Sequence, residues 1–192
     1  MLRDIVIDSR SCRSFDESVK LGENDLRDLI DTARLCPSAV NRQPLKYRLV
    51  FEHDEVEEVV ANTAWAGLLR DRKFPPDGHH PSAFIVICCD TKICENPDSC
   101  KVDVGIAAQT IMLLAAEQGL GGCMIGAFNP TTIAEKLRLP KKCHPVLILA
   151  LGAPDEMILI CNMKEDGNTD YFRDTANIHF VPKRSLDDVI IE

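Results

Sequence analysis

Hydrophobic positions recur along the chain with two spacings, one typical of helices and one typical of strands. The stretch after Asn24, the predicted N-cap, predicts an amphipathic helix because apolar residues recur there at i, i+3, i+4 and i+7. Those residues are Leu26, Leu29, Ile30 and Ala33. Residues 46–51 alternate basic and apolar side chains, which predicts a half-buried strand, and residues 54–61 predict a short acidic helix.

Other segments are apolar over most of their length and predict buried elements. Residues 83–89 form a continuous apolar run, which suits a strand in the middle of a sheet covered on both faces. Residues 103–118 predict a helix with little polar face, buried either in the core or partly against another subunit. Three elements follow: a strand over 123–127, a helix that Asn129-Pro130 opens and that runs to 137, and a strand over 145–151.

Length and charge narrow the class of protein. The 192 residues suffice for one well-buried domain, and no Gly/Ser-rich or Pro-rich linker divides them, so we expect a single domain over residues 1–192. The 30 acidic and 22 basic residues give a formal charge of -8, which disfavours nucleic acid as a partner. The N-terminus lacks a signal-peptide core, and no apolar run approaches the roughly 20 residues that span a bilayer. We therefore expect no membrane association and a cytoplasmic location.

The nine cysteines are odd in number and show no CxxC pair, which indicates reduced thiols. Cys88 and Cys89 lie inside an apolar strand, where cysteine behaves as a small hydrophobe. Cys94 and Cys100 flank a loop and, with Cys89, leave open an iron–sulfur or zinc site of irregular spacing. A cysteine-based metal module is therefore one alternative for the function.

The composition changes near the C-terminus. Residues 167–192 run from a polar stretch through a charged one to an apolar end, Val189-Ile190-Ile191. A hydrophobic segment at this place is expected to dock onto a surface. We predict that this C-terminal extension wraps the partner subunit of a dimer, and folding back onto its own core is the alternative.

Two polar motifs near the N-terminus carry the candidate chemistry. Residues 10–13 read Arg-Ser-Cys-Arg, and two guanidinium groups with a hydroxyl suit a phosphate, which arginine binds in forked, charge-assisted pairs. Residues 37–44 read Pro-Ser-Ala-Val-Asn-Arg-Gln-Pro. The prolines stiffen this loop, and the amides of Asn41 and Gln43 are suited to reading the edge of a heterocycle.

Together with the glycine-rich residues 116–128, these motifs make the chain resemble the FMN-dependent nitroreductase family over most of its length. The resemblance implies an α+β fold in which a central, mostly antiparallel sheet is flanked by helices. It implies a homodimer whose C-terminal tails are exchanged between subunits. It also implies FMN as the cofactor and NADH or NADPH as the electron donor.

The resemblance assigns the first two motifs to the cofactor. The family's stretch that grips the FMN phosphate and the pyrimidine edge matches Arg10, Ser11 and Arg13, with Ser9 where the family has an arginine. The family's rigid loop matches a second set of positions, in which alanine replaces one serine. These positions are Pro37, Ser38, Ala39, Asn41 and Gln43.

The resemblance also assigns residues further along the chain. Met124, Ile125 and Gly126 match the strand that lies against the isoalloxazine ring, where a backbone N–H near Gly126 or Ala127 would bond flavin N5. Lys183 and Arg184 match a basic element that helps to bind the phosphate.

The implied activity is that of an NAD(P)H oxidoreductase. Hydride would pass through flavin N5 to a small flat electron acceptor, such as a nitroaromatic or a quinone, in ping-pong order. No catalytic side chain and no metal are expected, and the adjacent His79 and His80 are interpreted as loop residues. Trp65 is assigned either to a lid over the flavin or to local packing. The alternatives are a flavin-binding redox sensor or FMN carrier with low turnover, and the metal module above.

Overall fold

The computed structural model describes residues 1–191. Its helices are α1 (Leu2–Asp8), α2 (Glu23–Ala33), α3 (His53–Ala61), α4 (Lys101–Glu117) and α5 (Pro130–Lys136). Its strands are β1 (Phe15–Asp16), β2 (Leu45–Val50), β3 (Ala83–Asp90), β4 (Gly121–Ile125), β5 (Cys143–Pro154), β6 (Ile158–Asn162), β7 (Phe172–Arg173) and β8 (His179–Lys183).

Each helix and strand predicted from the sequence is present, with ends shifted by at most three residues. The predicted N-cap of α2 is wrong: the cap is Gly22, and Asn24 lies inside the first turn. The reason is that the Asp25 carboxylate accepts the Gly22 N–H at 2.8 Å, which satisfies the helix start from within. At α5 the prediction is confirmed, because the Asn129 side chain accepts the N–H groups of Thr131 and Thr132.

The main sheet is built around β5. One edge of β5 pairs with β3, which pairs in turn with β2, while the other edge pairs with β4 and, near its end, with β1. Every pairing in this sheet is antiparallel. The predicted central, mostly antiparallel sheet is therefore confirmed.

Helices cover both faces of this sheet, and β3 shows why. Its side chains alternate between two core clusters, with Ile85 and Ile87 in one and Phe84 and Val86 in the other. Residues of α2 and α4 share the first cluster, and residues of α3 and α5 share the second. All of β3 is buried, as predicted for a strand covered on both faces.

Contrary to the expectation from the sequence, one helical stretch is long and apolar enough to cross a membrane by length and composition. It is Pro97–Glu117, 21 residues long, and it contains α4. The core helix of a globular protein passes the same test, and α4 has that role here, since Val104, Ala108 and Ile111 pack in the first core cluster.

A second, smaller sheet follows the first in the chain. β8 pairs in parallel with β6 and antiparallel with β7, so that His179 lies opposite Ile158. Residues 172–183 of the predicted extension thus fold onto their own chain. Beyond them, apolar side chains up to Ile191 are exposed. Exchange of the tail between subunits stays a prediction.

Candidate functional site

A cationic cavity of about 250 Å³ lies between the segment after α1, helix α4, strand β4 and the second sheet. It brings together Arg10, Ser11, Arg13, Met124 and Lys183, which the sequence had assigned to the cofactor. The remaining lining residues are Ser9, Gln109, Met112, Tyr171, His179 and Val181. The lining contains three cationic side chains and no carboxylate.

The backbone of the N-terminal segment is fixed against β4. Ser11 forms a parallel bridge with Gly122, and the Cys12 N–H donates to the Gly122 carbonyl at 2.8 Å. A Cβ atom at Gly122 would collide with the Ala150 carbonyl oxygen and would lie 2.8 Å from the Met112 methyl carbon. Glycine therefore permits the close approach that brings residues 10–13 to the cavity.

Arg13 is buried, and its guanidinium is held from several sides. Its Nη1 donates to the Ser11 carbonyl at 3.1 Å and lies 3.3 Å from Nε2 of His179. The guanidinium carbon lies 4.9 Å from the centre of the Tyr171 ring, a cation–π contact. This arrangement fixes the positive charge in the wall of the cavity.

Glu156, which the sequence reasoning missed, ties this region to the second sheet. Its carboxylate accepts the backbone N–H of Arg13 and that of Ser14 and forms an ion pair with Arg173. The pair is almost fully buried, with side chains 2–3% exposed. The sequence signal was a carboxylate soon after a buried strand, a position that fits a turn equally well.

His179 was also missed, because a histidine in a charged C-terminal segment carries no motif. It is 1% exposed, and burial together with the positive charges of Arg13 and Arg173 lowers its pKa from 6.5 to about 4. The ring is therefore neutral at pH 7. Since the guanidinium of Arg13 can only donate, Nε2 is the acceptor and the hydrogen resides on Nδ1.

Arg10 and Lys183 complete the positive charge of the cavity. Arg10 donates from Nη2 to the Val6 carbonyl at 2.7 Å, while its buried Nε has no partner within residues 1–191. Arg184 lies outside the lining, where it is exposed and donates to the Met163 sulfur at 3.4 Å. A cavity lined by cations and N–H donors fits an anionic group such as a phosphate.

The predicted loop, residues 37–44, forms a separate group. The Ser38 hydroxyl donates to the Asp103 carboxylate at 2.6 Å, and the Ala39 N–H donates to the same carboxylate at 3.2 Å. The Gln43 backbone N–H donates to the Ser38 hydroxyl oxygen at 2.9 Å. Asp103 is buried and was predicted only as the start of a helix, although a carboxylate in an otherwise apolar helix is itself a signal.

This loop is held in an unusual backbone conformation. Val40, Asn41 and Gln43 have φ values of 48°, 53° and 51°, in the left-handed region that non-glycine residues seldom adopt. The Gln43 amide donates to the Asn41 side-chain oxygen at 3.0 Å. The two amides predicted to read a heterocycle therefore bond to each other and stiffen the loop.

The cavity and the loop lie on opposite sides of α4. Asp103 and Ala107 line the pocket beside the loop, whereas Gln109 and Met112 line the cationic cavity. With 3.6 residues per turn, these two pairs point to opposite faces of the helix. One chain thus does not bring the two predicted groups together.

The predicted residues of the β4 region are also divided. Met124 lines the cationic cavity and is 38% exposed, but Ile125 is in the core. Gly126 is exposed, lines a different cleft beside Phe128, and has open space where a Cβ atom would stand.

Other residues singled out in the sequence make local contacts. The Trp65 ring N–H donates to the Thr63 hydroxyl at 2.9 Å. The Trp65 ring packs edge-on against the Phe84 ring, as the local-packing interpretation predicts. His79 and His80 each lie 2.7 Å from a carboxylate oxygen, of Asp155 and Glu57 respectively. Within residues 1–191, no group of three or more His, Cys, Asp or Glu side chains could hold a metal ion.

All nine cysteines are free thiols. Burial raises the pKa of five of them: Cys12, Cys88, Cys89, Cys100 and Cys123. A thiol with a raised pKa forms little thiolate at neutral pH and reacts slowly with oxidants.

Comparison with known proteins places this geometry in context. The sequence model of the protein family described as the Nitroreductase family matches residues 8–76 and 96–153 of this chain. A candidate NADH dehydrogenase/NAD(P)H nitroreductase of Methanothermobacter thermautotrophicus is 26% identical over 151 residues, covering 77% of this chain and 74% of that protein. The FMN reductase (NAD(P)H) of Bacillus subtilis is 27% identical over 171 residues, covering 77% of this chain and 63% of that protein.

Solved structures share the fold. A candidate nitroreductase from Exiguobacterium sibiricum, solved in complex with FMN, superposes with a TM-score of 0.68. The match covers 81% of this chain and 89% of that chain at 20% sequence identity.

Proposed function

This chain belongs to the nitroreductase family, and from that premise we propose that it is an FMN-dependent NAD(P)H oxidoreductase that reduces small, flat electrophilic acceptors such as nitroaromatics and quinones. The observation that carries the proposal is the cationic cavity, in which Arg10, Arg13 and Lys183 meet without an opposing carboxylate. This set of donors fits a phosphate-bearing cofactor.

In this proposal Arg10, Arg13 and Lys183 bind the phosphate of FMN, and the half-exposed Met124 side chain packs against the ring. When bound, FMN would supply the redox chemistry, namely hydride transfer between NAD(P)H and the acceptor in ping-pong order. The chain's own part is to bind and orient the cofactor and to place fixed positive charge beside it. Because Arg13 is buried among Tyr171 and His179, its charge is screened less by water than that of a surface arginine.

We further propose that the protein acts as a homodimer, with Arg10 from one copy and the 37–44 loop from a second copy meeting at one cofactor. The opposite placement of the two groups on α4 supports this, since a single chain keeps them apart. The cavity of about 250 Å³ is also smaller than the roughly 300 to 1,000 Å³ of most small-molecule sites. On α4, Val102 is 73% exposed, which leaves apolar surface for a partner.

The nine free thiols suit a reducing compartment, and we propose the cytoplasm as the site of this activity. The described residues bear differently on the two alternatives. The metal module lacks a ligand group within residues 1–191. For the sensor, the five thiols with raised pKa are unsuited to reacting with oxidants, which leaves the partly buried Cys36, Cys143 and Cys161 as the thiols that such a role would use.

An absorption spectrum of the purified protein, recorded without oxygen before and after addition of NADH or NADPH, tests the activity. We expect flavin bands near ~370 and ~450 nm that bleach on addition of the donor. The variant Arg10→Ala should bind FMN at least about tenfold more weakly, because it loses a charge-assisted contact. Arg27→Ala, the same change on the exposed face of α2, is the matched control. Absence of flavin bands in the wild type, even after incubation with FMN, would refute the proposal.

Mixing two variants with weakened FMN binding, at an FMN concentration that leaves each variant alone mostly unoccupied, tests the shared site. Arg10→Ala and Gln43→Ala dimers are unfolded together, refolded together and assayed for bound flavin. If each site takes Arg10 from one copy and Gln43 from the other, mixed dimers contain one intact site, and about a quarter of all sites recover. If the refolded mixture binds no more flavin than the separate variants do, Arg10 and Gln43 either belong to the same subunit's site or do not both bind the flavin.

A further inference from the structure

The guanidinium of Arg13 is held by hydrogen bonds at one end only. Its Nη1 donates to the Ser11 carbonyl at 3.1 Å and lies 3.3 Å from Nε2 of His179. Within residues 1–191, the guanidinium makes no hydrogen bond through its other nitrogens. The position of its far side therefore depends on what packs against its flat face.

The ring of Tyr171 makes that packing contact. The central carbon of the Arg13 guanidinium lies over this ring, 4.9 Å from its centre, which is a cation–π contact. The centre of the His179 ring lies 5.3 Å from that of Tyr171, so the two rings together limit how the guanidinium can move. Arg13 and Tyr171 both line the cationic cavity.

The backbone of Arg13 is fixed independently of Tyr171. The carboxylate of Glu156 accepts the Arg13 N–H, and the N–H of the preceding residue, Cys12, donates to the Gly122 carbonyl. Loss of the Tyr171 ring should therefore displace the charged end of the Arg13 side chain while the segment that carries it stays in place.

We propose that Tyr171 is a positioning residue of the cofactor site, whose ring holds the guanidinium of Arg13 where that group meets a bound anion. The inference deepens the proposed function and rests on it for the identity of the anion as the FMN phosphate. The contact between Tyr171 and Arg13 itself rests on geometry alone. Tyr171 also lies beyond residue 153, the last residue that the family model matches.

The Tyr171 hydroxyl has a second contact, which substitution separates from the role of the ring. It accepts the Leu68 N–H at 3.3 Å and so ties a loop to the wall of the cavity. Tyr171→Phe removes the hydroxyl and keeps the ring, whereas Tyr171→Leu removes both. Phe172→Leu is the matched control, because it removes the neighbouring ring, which makes a cation–π contact with Lys164 instead.

The first measurement compares the binding of FMN with that of riboflavin, which lacks the phosphate. Tyr171→Leu should weaken FMN binding about threefold to thirtyfold, the strength of one cation–π contact, and leave riboflavin binding unchanged. Tyr171→Phe and Phe172→Leu should keep an FMN affinity within about twofold of the wild type. Equal losses for the two flavins, or a loss in Tyr171→Phe as large as that in Tyr171→Leu, would overturn the proposal.

The second measurement asks whether Tyr171 acts through Arg13. If it does, Tyr171→Leu should have no further effect on FMN affinity in a protein that already carries Arg13→Ala, because the group that the ring positions is gone. An undiminished effect in that background would mean that Tyr171 contacts the flavin directly, and would overturn the positioning role.

The third measurement needs no cofactor and so separates this inference from the proposed function. Protons that lie over an aromatic ring have NMR resonances shifted upfield by the ring current. We expect this shift for the Arg13 side chain in the wild type and in Tyr171→Phe, and a loss of at least half of it in Tyr171→Leu. Unshifted Arg13 resonances in the wild type would overturn the proposal whether or not any variant folds.

The combined results distinguish two kinds of failure. If the wild type binds neither FMN nor riboflavin, the proposed function fails, and the role of Tyr171 toward Arg13 stands or falls on the NMR spectra. If the wild type binds FMN but Tyr171→Leu binds it equally well, the proposed function stands and the positioning role is overturned.

Discussion

The buried, neutral His179 makes the stability of this fold depend on pH in a direction that the structure determines. The unfolded chain binds a proton on this imidazole below its ordinary pKa of 6.5, whereas the folded chain binds one only near pH 4. Arg13 and Arg173 face the ring and oppose its protonation. The unfolded state thus binds more protons between these values, and stability falls as the pH falls from 6.5 toward 4.

The size of this effect follows from the two pKa values. One pKa unit corresponds to about 1.4 kcal/mol, so the whole shift is worth up to about 3 kcal/mol. Between pH 7 and pH 5 the loss amounts to about 2 kcal/mol, since most of the unfolded imidazoles are protonated at pH 5 while the folded ones are not. Such a loss is a large fraction of the roughly 5 to 15 kcal/mol that stabilises a typical domain.

Urea denaturation of the wild type and of His179→Gln at pH 7, 6 and 5, in phosphate-free buffers, measures this directly. Other titrating groups are shared, so they cancel in the difference between the two proteins. We expect the wild type to lose about 2 kcal/mol relative to His179→Gln over this range. His53→Gln, which removes an exposed histidine, is the control. A difference that stays constant with pH, or that grows in favour of the wild type as the pH falls, would refute the reasoning.

Three further predictions concern the framework of the site. Asp103→Asn should lower the local unfolding free energy of the 37–44 loop by about 1 to 3 kcal/mol, because an amide nitrogen replaces one acceptor oxygen. We expect faster amide hydrogen exchange that is confined to that loop. Gly122→Ala should lower the free energy of unfolding by about 1 to 3 kcal/mol, because the new Cβ atom collides with a β5 carbonyl oxygen. Gly126→Ala has open space around it and should change stability little. Equal effects of the two substitutions would contradict the packing argument. Glu156→Gln should destabilise the fold by about 3 to 5 kcal/mol, because Arg173 is left as a buried charge. Glu23→Gln breaks the exposed ion pair with Arg27 and should lower the free energy of unfolding by at most about 1 kcal/mol. Similar urea unfolding midpoints for Glu156→Gln and Glu23→Gln would argue against a buried ion pair.

The sequence by itself determined the elements whose patterns are local. The apolar run of β3 and the almost wholly apolar α4 were predicted because burial on both sides of an element leaves no polar positions in it. The two N-terminal motifs were found because their chemistry is carried by adjacent residues. The order of polar and apolar residues over roughly ten to fifteen positions is enough to predict features of this kind.

The tertiary structure alone decided which distant residues meet. Arg13 and His179 are 166 positions apart, and Arg13 and Glu156 are 143 apart, so no periodicity within an element relates them. The second sheet forms because β8 returns to pair with β6, and this pairing brings the neutral histidine into the wall of the cavity and the buried ion pair close to it. The separation of the 37–44 loop from Arg10 also arises from the position of α4 between them. Contacts of this range depend on how whole elements pack, and local sequence patterns carry no information about that packing.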